Sequence, residues 1–594
     1  MNPLPSESHG RASLQGSRAL GLARIIIGLV QGALLYGLWL SASAEPMAWP
    51  ATQPALFAAL GLAIGLGPMV LLAGVGRLSL RSLLPWAAIA MAALALLGWH
   101  DAAAQTDEHH YPPYLRFPVV AFSAAALFIA HHLVVPAVTS RRWIADFDDY
   151  FDTAWKAGVQ LALSLGFTLA FWLLFFLGAA LFKVIGLRFL QDLIDKEWFS
   201  IPVTCLVFAV AVQLTDVRDG LIRGVRTVAL MLLSWLLLVM TVLVAGFLLA
   251  LPFTGLDGLW ETGSATALVL SAAAALIILV NTAYQDGRED NLPPPLLRGA
   301  VRVASLLLMP LVAIAVWGLA LRIGQHGLTP DRIIAVACTL VGAVYAAGYA
   351  HAALSPLWRS FSWMKPLERT NVAAAVLTVW LILALFSPLL DPARLSVADQ
   401  VSRLERGRVA VADFDFQFLR FEAGRSGQAA LARLARSDDP AIAAPAREAQ
   451  RMTSRRPVLP RDQARPVFQT WPAGQAVPEG FAVATHPGDP RFNCNAQAGC
   501  VLVLRDLDSD GQAEALLADP YTLNLYRAEG TAWAYTGFYP MMSCDQPGRD
   551  PRDLLRNPDL APAPPQAPDL LLGGRRFPFS PDTSCRPGPA LTPE

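Results

Sequence analysis

The chain has 594 residues, 54% hydrophobic and 15% charged, and its 46 basic and 46 acidic side chains cancel to a net charge of zero. Mean hydropathy is +0.43. Soluble domains carry about a quarter charged residues, so this composition excludes a disordered chain, a basic nucleic-acid binder and an ordinary soluble enzyme, and points to a polytopic membrane protein.

After a short tail, residues 1–19, apolar runs of spanning length recur to about Leu390. A spanning helix needs about 20 apolar residues, and helices are forced because lipid offers a backbone amide no partner. Eleven spans are expected: Leu20–Ala42, Pro54–Gly76, Ser82–Trp99, Phe117–Val138, Ala157–Phe182, Phe199–Leu214, Val225–Leu251, Ser264–Tyr284, Val303–Leu321, Ile333–Leu354 and Val372–Leu389. The sixth is short and follows an amphipathic stretch, Gly186–Trp198, suited to the interface. Ser41-Ala42-Ser43-Ala44 has the small residues of a signal-peptidase site, but the preceding apolar run is longer than a cleaved signal's, so an uncleaved anchor is expected.

Orientation follows from Lys and Arg. Basic residues crowd the N-terminus (Arg11, Arg18, Arg24) and the even loops: Arg77 and Arg81, then Arg141, Arg142 and Lys156, then Arg218, Arg223 and Arg226, then Arg288, Arg298 and Arg302, then Arg359, Lys365 and Arg369. Odd loops are poorer, except the fifth, where Lys183, Arg188 and Lys196 are offset by acids. The N-terminus is therefore expected in the cytoplasm of a bacterial inner membrane, and residues after the eleventh span in the periplasm. Deleting the sixth span would export three arginine-rich loops, which keeps it in the count.

Within the spans the polar residues are Gln31, His131, His132, Gln160, Gln213, Asn281 and His351, with no Asp, Glu or Lys near a midplane. Intramembrane ionisable groups usually mark transport pathways, so ion-coupled transport is disfavoured. Adjacent helical residues point about 100° apart, so His131 and His132 cannot face one partner; structural roles are expected for both and for His351, with haem or a proton relay as the alternative. The third loop offers His100, Asp101, Asp107, Glu108, His109 and His110 as metal-capable groups, with a solvated acidic loop as the default. Trp143–Trp155, carrying Asp146, Asp148, Asp149 and Asp152, reads as an interfacial helix.

Residues 391–455 have helical spacing (Val397, Val401, Leu404) and read as a helical neck. Residues 456–594 form a small mainly-β extracytoplasmic domain with antiparallel strands around Cys500–Leu504, Ala513–Ala518, Thr522–Tyr526 and Trp533–Phe538, then a Pro-rich tail. Its four cysteines, Cys494, Cys500, Cys544 and Cys585, read as disulfides in an oxidising compartment. Of three possible pairings, Cys494–Cys500 with Cys544–Cys585 is expected, because the first closes a short loop holding Gly499. Between the first two strands, Asp506, Asp508, Asp510, Gln512 (by its carbonyl) and Glu514 alternate around Gly511, the design of a calcium loop. Leu517 at position twelve departs from an EF-hand; the loop is similar to the calcium loop of integrin-like FG-GAP repeats, in one copy. A bare acidic turn is the alternative.

Arg18-Ala-Leu-Gly-Leu-Ala-Arg24, Phe128-Ile-Ala-His-His132, Tyr150-Phe-Asp-Thr-Ala-Trp-Lys156, Val212-Gln-Leu-Thr-Asp-Val-Arg218, Leu367-Glu-Arg-Thr-Asn-Val372 and Leu395-Ser-Val-Ala-Asp-Gln-Val401 resemble the bacterial membrane family called domain of unknown function 4153, over about Arg18 to Leu434. The resemblance implies a multi-span inner-membrane protein and carries no reaction or catalytic residues. The expected function is an integral inner-membrane protein of undefined activity, embedded in the lipid bilayer and presenting a periplasmic domain for envelope sensing, assembly or binding of another envelope protein. The alternatives are a facilitator-type transporter with a midplane cavity lined by Gln160, Gln213, Asn281 and the histidines, or an enzyme acting on lipid or envelope precursors.

Overall fold

The computed structural model describes residues 6–452, apart from 107–111, 113, 218, 256–264, 289–291 and 358–362, and, beyond them, residues 455, 467–482, 489–494, 499–519, 522–530, 532–539, 550–556, 570–572 and 575–577. The chain divides into two compact units, Met1–Met452 and Thr453–Glu594.

The first unit is helical: α1 Ser6–Ser43, α2 Pro54–Leu66, α3 Pro68–Gly74, α4 Leu80–Ala104, α5 Phe117–Ser140, α6 Phe147–Val184, α7 Phe189–Ile194, α8 Glu197–Val217, α9 Asp219–Thr254, α10 Ala265–Tyr284, α11 Pro295–His326, α12 Pro330–Leu354 and α13 Pro366–Leu385, then α14 Pro392–Glu405, α15 Phe416–Phe421, α16 Gly424–Leu434 and α17 Pro440–Arg451. Proline opens many of them, because a first-turn residue needs no amide donor; Thr329 and Asp391 cap α12 and α14 with their side-chain oxygens. Among the described residues, eleven helices are long and apolar enough to cross a membrane, in the expected order. The doubtful sixth is α8, with the short α7 in the amphipathic stretch before it.

The second span is broken. Pro68 has no amide to give the carbonyl of Ile64, four residues earlier. Gln31 of α1 supplies the donor, its side-chain amide reaching Ile64 O at 3.2 Å and Gly65 O at 2.9 Å. The same helix lies close on α8 because Gly28 and Gly32 leave room: a Cβ at Gly28 would meet Ala209 Cβ at 2.7 Å, and one at Gly32 would meet Pro202 Cα at 2.5 Å. This is small-residue packing as membrane helices use it. α2 packs on α4, and α6 on α8; α9 to α12 form a second group around Leu237, Leu276, Leu308 and Tyr349. α13 packs on both α12 and α5.

Ion pairs bridge loops of like parity. Arg24 and Arg77 both reach Asp216, at 2.7 and 3.8 Å. Arg226 pairs with Asp152, and Arg288 with Asp148 at 2.8 Å. On the opposite side His100, at the end of the third span, lies 3.2 Å from Asp391, which follows the eleventh. Removing α8 from the count would separate these partners across the membrane.

The helices α14 to α17 share a core of Val401, Leu404, Phe414, Leu419, Leu431 and Ala446. α14 is tied to the ninth loop through backbone groups. Asp399 accepts from Leu328 N at 2.7 Å, Ser396 donates to Leu328 O at 2.9 Å, Gln400 donates to His326 O and Leu328 O, and Arg403 to Gly324 O and Gln325 O. Arg425 of α16 reaches Gln105 O, past the end of α4, at 3.1 Å.

The second unit holds β1 Phe468–Thr470, β2 Cys500–Arg505, β3 Glu514–Ala518, β4 Leu523–Glu529 and β5 Ala532–Tyr539 in that order in one sheet, a short helix α18 Pro551–Leu555, and a separate pair, β6 Leu570–Leu572 with β7 Arg575–Phe577. β2 to β5 are antiparallel neighbours, but β1 runs parallel to β2. The sheet is therefore mixed, a correction to the antiparallel expectation, and the Pro-rich tail contains the antiparallel β6–β7 pair.

Candidate functional sites

Three polar constellations stand out, two in the helical unit. The first gathers at the even-loop end of α1, α6 and α8. Arg24 is 1% exposed. Its guanidinium donates to Gln213 Oε1 at 2.6 Å, to Asp216 Oδ2 at 2.7 Å and to the carbonyls of Leu72 and Val75, where α3 ends. A charge taken from water is tolerated only with partners of this kind. Arg77 extends the cluster to Gln160 Oε1 at 3.4 Å, and Gln160 donates to Val212 O at 3.1 Å.

The second is a closed ring in the other helix group. Asn281 donates to Tyr349 Oη, Tyr349 donates to Asn371 Oδ1, and Asn371 donates back to Asn281 Oδ1, each at 2.7 Å. Within the ring each side chain gives one hydrogen bond and accepts one, and Asn281 also donates to Ile277 O at 2.9 Å, so the polar atoms around the buried Tyr349 are paired with one another. One turn on, Tyr284 donates to Glu368 at 3.0 Å, and Lys365 pairs with the same carboxylate at 2.8 Å. The facilitator reading placed Gln160, Gln213, Asn281 and the histidines around one cavity. Gln160 and Gln213 belong to one cluster, through Arg77 and Arg24 on Asp216, but Asn281 is spent in the separate ring.

His131 and His132 are both buried on α5. Trp86 donates to His131 Nδ1 at 3.1 Å, and His132 Nδ1 donates to Phe128 O at 2.6 Å. Their rings meet edge to face with centroids 5.3 Å apart. His351 lies in the last turn of α12. Of the third-loop groups, Asp101 pairs with Arg116 and His100 with Asp391. Burial alone would raise the pKa of Asp391, but the bond from His100 and the amides of Ala393 and Arg394 hold it below the usual carboxylate range. Asp107, Glu108, His109 and His110 lie outside the described residues.

The third constellation is the acidic loop between β2 and β3. Carboxylate oxygens of Asp506, Asp508 and Glu514 lie within 4.8 Å of one another, a group that could hold a metal ion. The carboxylate of Asp510 is not in this group: Asp506 accepts from the amides of Asp510 and Gly511, and Asp510 from that of Gln512. Gly511 sits at φ +84°, the turn expected of it. Arg527 of β4 reaches across the loop, 2.7 Å from Asp508 and 3.5 Å from Glu514, and already neutralises part of the charge. Cys494 and Cys500 are bonded as expected; Cys544 and Cys585 lie outside the described residues.

Beneath the sheet is a buried pair that the sequence did not announce. Arg491 is paired side-on with Asp489, donates to Phe481 O and Trp533 O, and lies 4.8 Å from the centre of the Tyr526 ring. Tyr526 donates to Asp489 at 2.8 Å. Burial would raise the pKa of Asp489, but Arg491 and the Tyr526 hydroxyl outweigh it and hold the carboxyl low; burial and Asp489 together push the Tyr526 phenol up.

A model of the family described as Domain of unknown function (DUF4153) matches residues 56–434, well over half of the chain. The chain belongs to this family. No curated protein and no solved structure matches it. The DUF4153 match begins at the second span, later than the Arg18 suggested by the resemblance, and ends with α16, so α1 and the second unit lie outside it. Inside the match, the residues that carry the resemblance are those that tie elements together: Gln213 and Asp216 hold Arg24, Asp152 holds Arg226, Asn371 closes the ring, and Ser396, Asp399 and Gln400 fasten α14 to the ninth loop. The DUF4153 region is thus a helical membrane body with its own cap of short helices, α14 to α16.

Proposed function

We propose that this DUF4153 protein is an inner-membrane body with a cytoplasmic N-terminus, and that it presents α14 to α17 and the following domain in the periplasm to another envelope protein. The observation that carries the reading is the fastening of α14 and α16 to the ninth loop and the end of α4, which builds the neck onto the odd-loop end of the spans. The arginine-rich even loops support a cytoplasmic location for the other end, and the Cys494–Cys500 bond supports an oxidising compartment. Polar side chains spent on one another, as in the Asn281 ring, favour a fixed scaffold over a substrate path. The acidic loop is proposed to take calcium by displacing Arg527 and so stiffen the β2–β3 connection.

Protease added to intact spheroplasts tests the placement: removal of the second unit while residues 18–385 stay protected is expected, and survival of that unit until the membrane is opened contradicts it. Photo-crosslinkers at Phe538 and Tyr539, exposed on β5, test the partner: an adduct of one constant mass in living cells is expected, and the absence of any adduct contradicts it.

A further inference from the structure

Strand alternation sorts the side chains of β1 and the residue after it onto two faces. Phe468 packs with Phe481 in the core beneath the sheet. Gln469 and Trp471 therefore fall on the other face, beside Val501, which stands opposite Gln469 on β2. That face has its own small core of Val501, Val503, Leu516 and, from α18, Leu555. Trp471 is left out of this core and is 40% exposed, while its amide, bonded to Leu502 O at 2.9 Å, fixes the backbone under the indole. A cavity of about 550 Å³ opens here, and its walls include Gln469, Trp471, Val501 and Arg556, the residue after α18. This is the size of a small-molecule site.

The turn after β1 keeps one wall low. Gln475 N bonds Pro472 O at 3.2 Å, and Gly474, which lines the cavity, sits at φ +92° with open space where a Cβ would stand. The polar part of the lining is planar and oriented: the Arg556 guanidinium donates to Gln469 Oε1 at 3.3 Å. The charge of Arg556 is already answered by Asp553 at 3.1 Å, a residue outside the lining, and no acid lines the cavity among the described residues. The site therefore calls for hydrogen-bonding groups beside an apolar ring face more than for a counter-charge. A purely apolar ligand would strip water from the carboxamide and guanidinium and replace none of it. A saccharide meets both demands. Its C–H face lies on the indole, and each hydroxyl can donate to Gln469 and accept from Arg556.

We propose that the cavity between β1 and α18 binds an uncharged glycan segment, with one pyranose ring stacked on Trp471 and its hydroxyls held by Gln469 and Arg556. Phe538 and Tyr539 lie on β5, the opposite edge strand of the sheet, so the glycan and the protein partner use different edges. The proposal does not depend on which side of the membrane the second unit occupies.

The test is saturation-transfer NMR on the full chain in lipid nanodiscs free of sugar-headed detergent, with two neutral probes, chitotetraose and maltotetraose, and one charged probe, acetylated trialanine with a free carboxylate. The proposal predicts transfer to the ring protons of at least one tetramer, with affinity lowered about tenfold or more by Trp471→Ala and lowered also by Gln469→Ala. Transfer to neither tetramer overturns it, as does binding unchanged in the variants. Tighter binding of the peptide than of either tetramer overturns it in favour of an anionic ligand. Gln469 is exposed on its strand, so Gln469→Ala decides the matter if Trp471→Ala disturbs the sheet, seen as lost hydrogen-exchange protection in β2 to β5.

Discussion

Asp489 and Arg491 form a pair whose partners have no access to water, so removing one strands the other. Breaking such a pair costs about 3–5 kcal/mol. Asp489→Asn is therefore expected to lower the opening free energy of the β2–β5 sheet by about 3 kcal/mol, read as roughly a hundredfold loss of hydrogen-exchange protection at those amides in the full chain. The pH dependence follows from the same contact. Asp489 has its pKa depressed in the folded state, so its contribution is complete above the unfolded value of about 3.9 and is lost as pH falls through the folded one. Protection of these amides, corrected for intrinsic exchange, should be flat near neutrality and fall in acid, and the variant should lack that acid limb. Arg527 yields a further expectation. If it competes with a cation for Asp508 and Glu514, Arg527→Gln should enlarge the rise in melting temperature that calcium produces over chelator; no calcium effect in either protein removes the ion from the account. None of these roles could be read locally. Arg491 looks like any loop arginine, and its burial depends on Tyr526 and Trp533, carried on strands folded over it. Arg24 looked like one more cytoplasmic positive charge at a span's start, whereas its partner Asp216 lies 192 residues away.

At the scale of elements, hydropathy and charge were sufficient to place the spans, and even the short α8 was recoverable because its loss would invert the arginine-rich loops. The break at Pro68 was not recoverable. Proline is tolerated inside membrane helices when another group repairs the backbone, and the repairing Gln31 belongs to a different helix. Gln31→Leu should therefore destabilise the bundle by about 1–3 kcal/mol in Pro68 protein and much less in a Pro68→Ala background. Thermal unfolding of the four proteins in detergent gives this coupling directly, and equal losses in both backgrounds would refute the repair. The strand β1 was missed for another reason. Three residues, Phe468–Thr470, are too few to show alternation, and a parallel partner does not follow from neighbouring sequence. The Asn281–Tyr349–Asn371 ring shares this problem, since its members meet only when three spans are packed.

For the whole molecule, the distribution of charge matters more than its sum. A net charge of zero hides arginines gathered in even loops and matched there by Asp148, Asp152 and Asp216, while the opposite end is held together through His100–Asp391 and the backbone bonds of α14. The helices that continue from the eleventh span are built onto that second end, so their side of the membrane decides where the molecule does its work. The most direct measurement is a pair of reporter fusions after Met452. The account predicts an active alkaline phosphatase and a dark fluorescent protein at that point; an inactive phosphatase with a bright fluorescent protein would place the neck in the cytoplasm and contradict it.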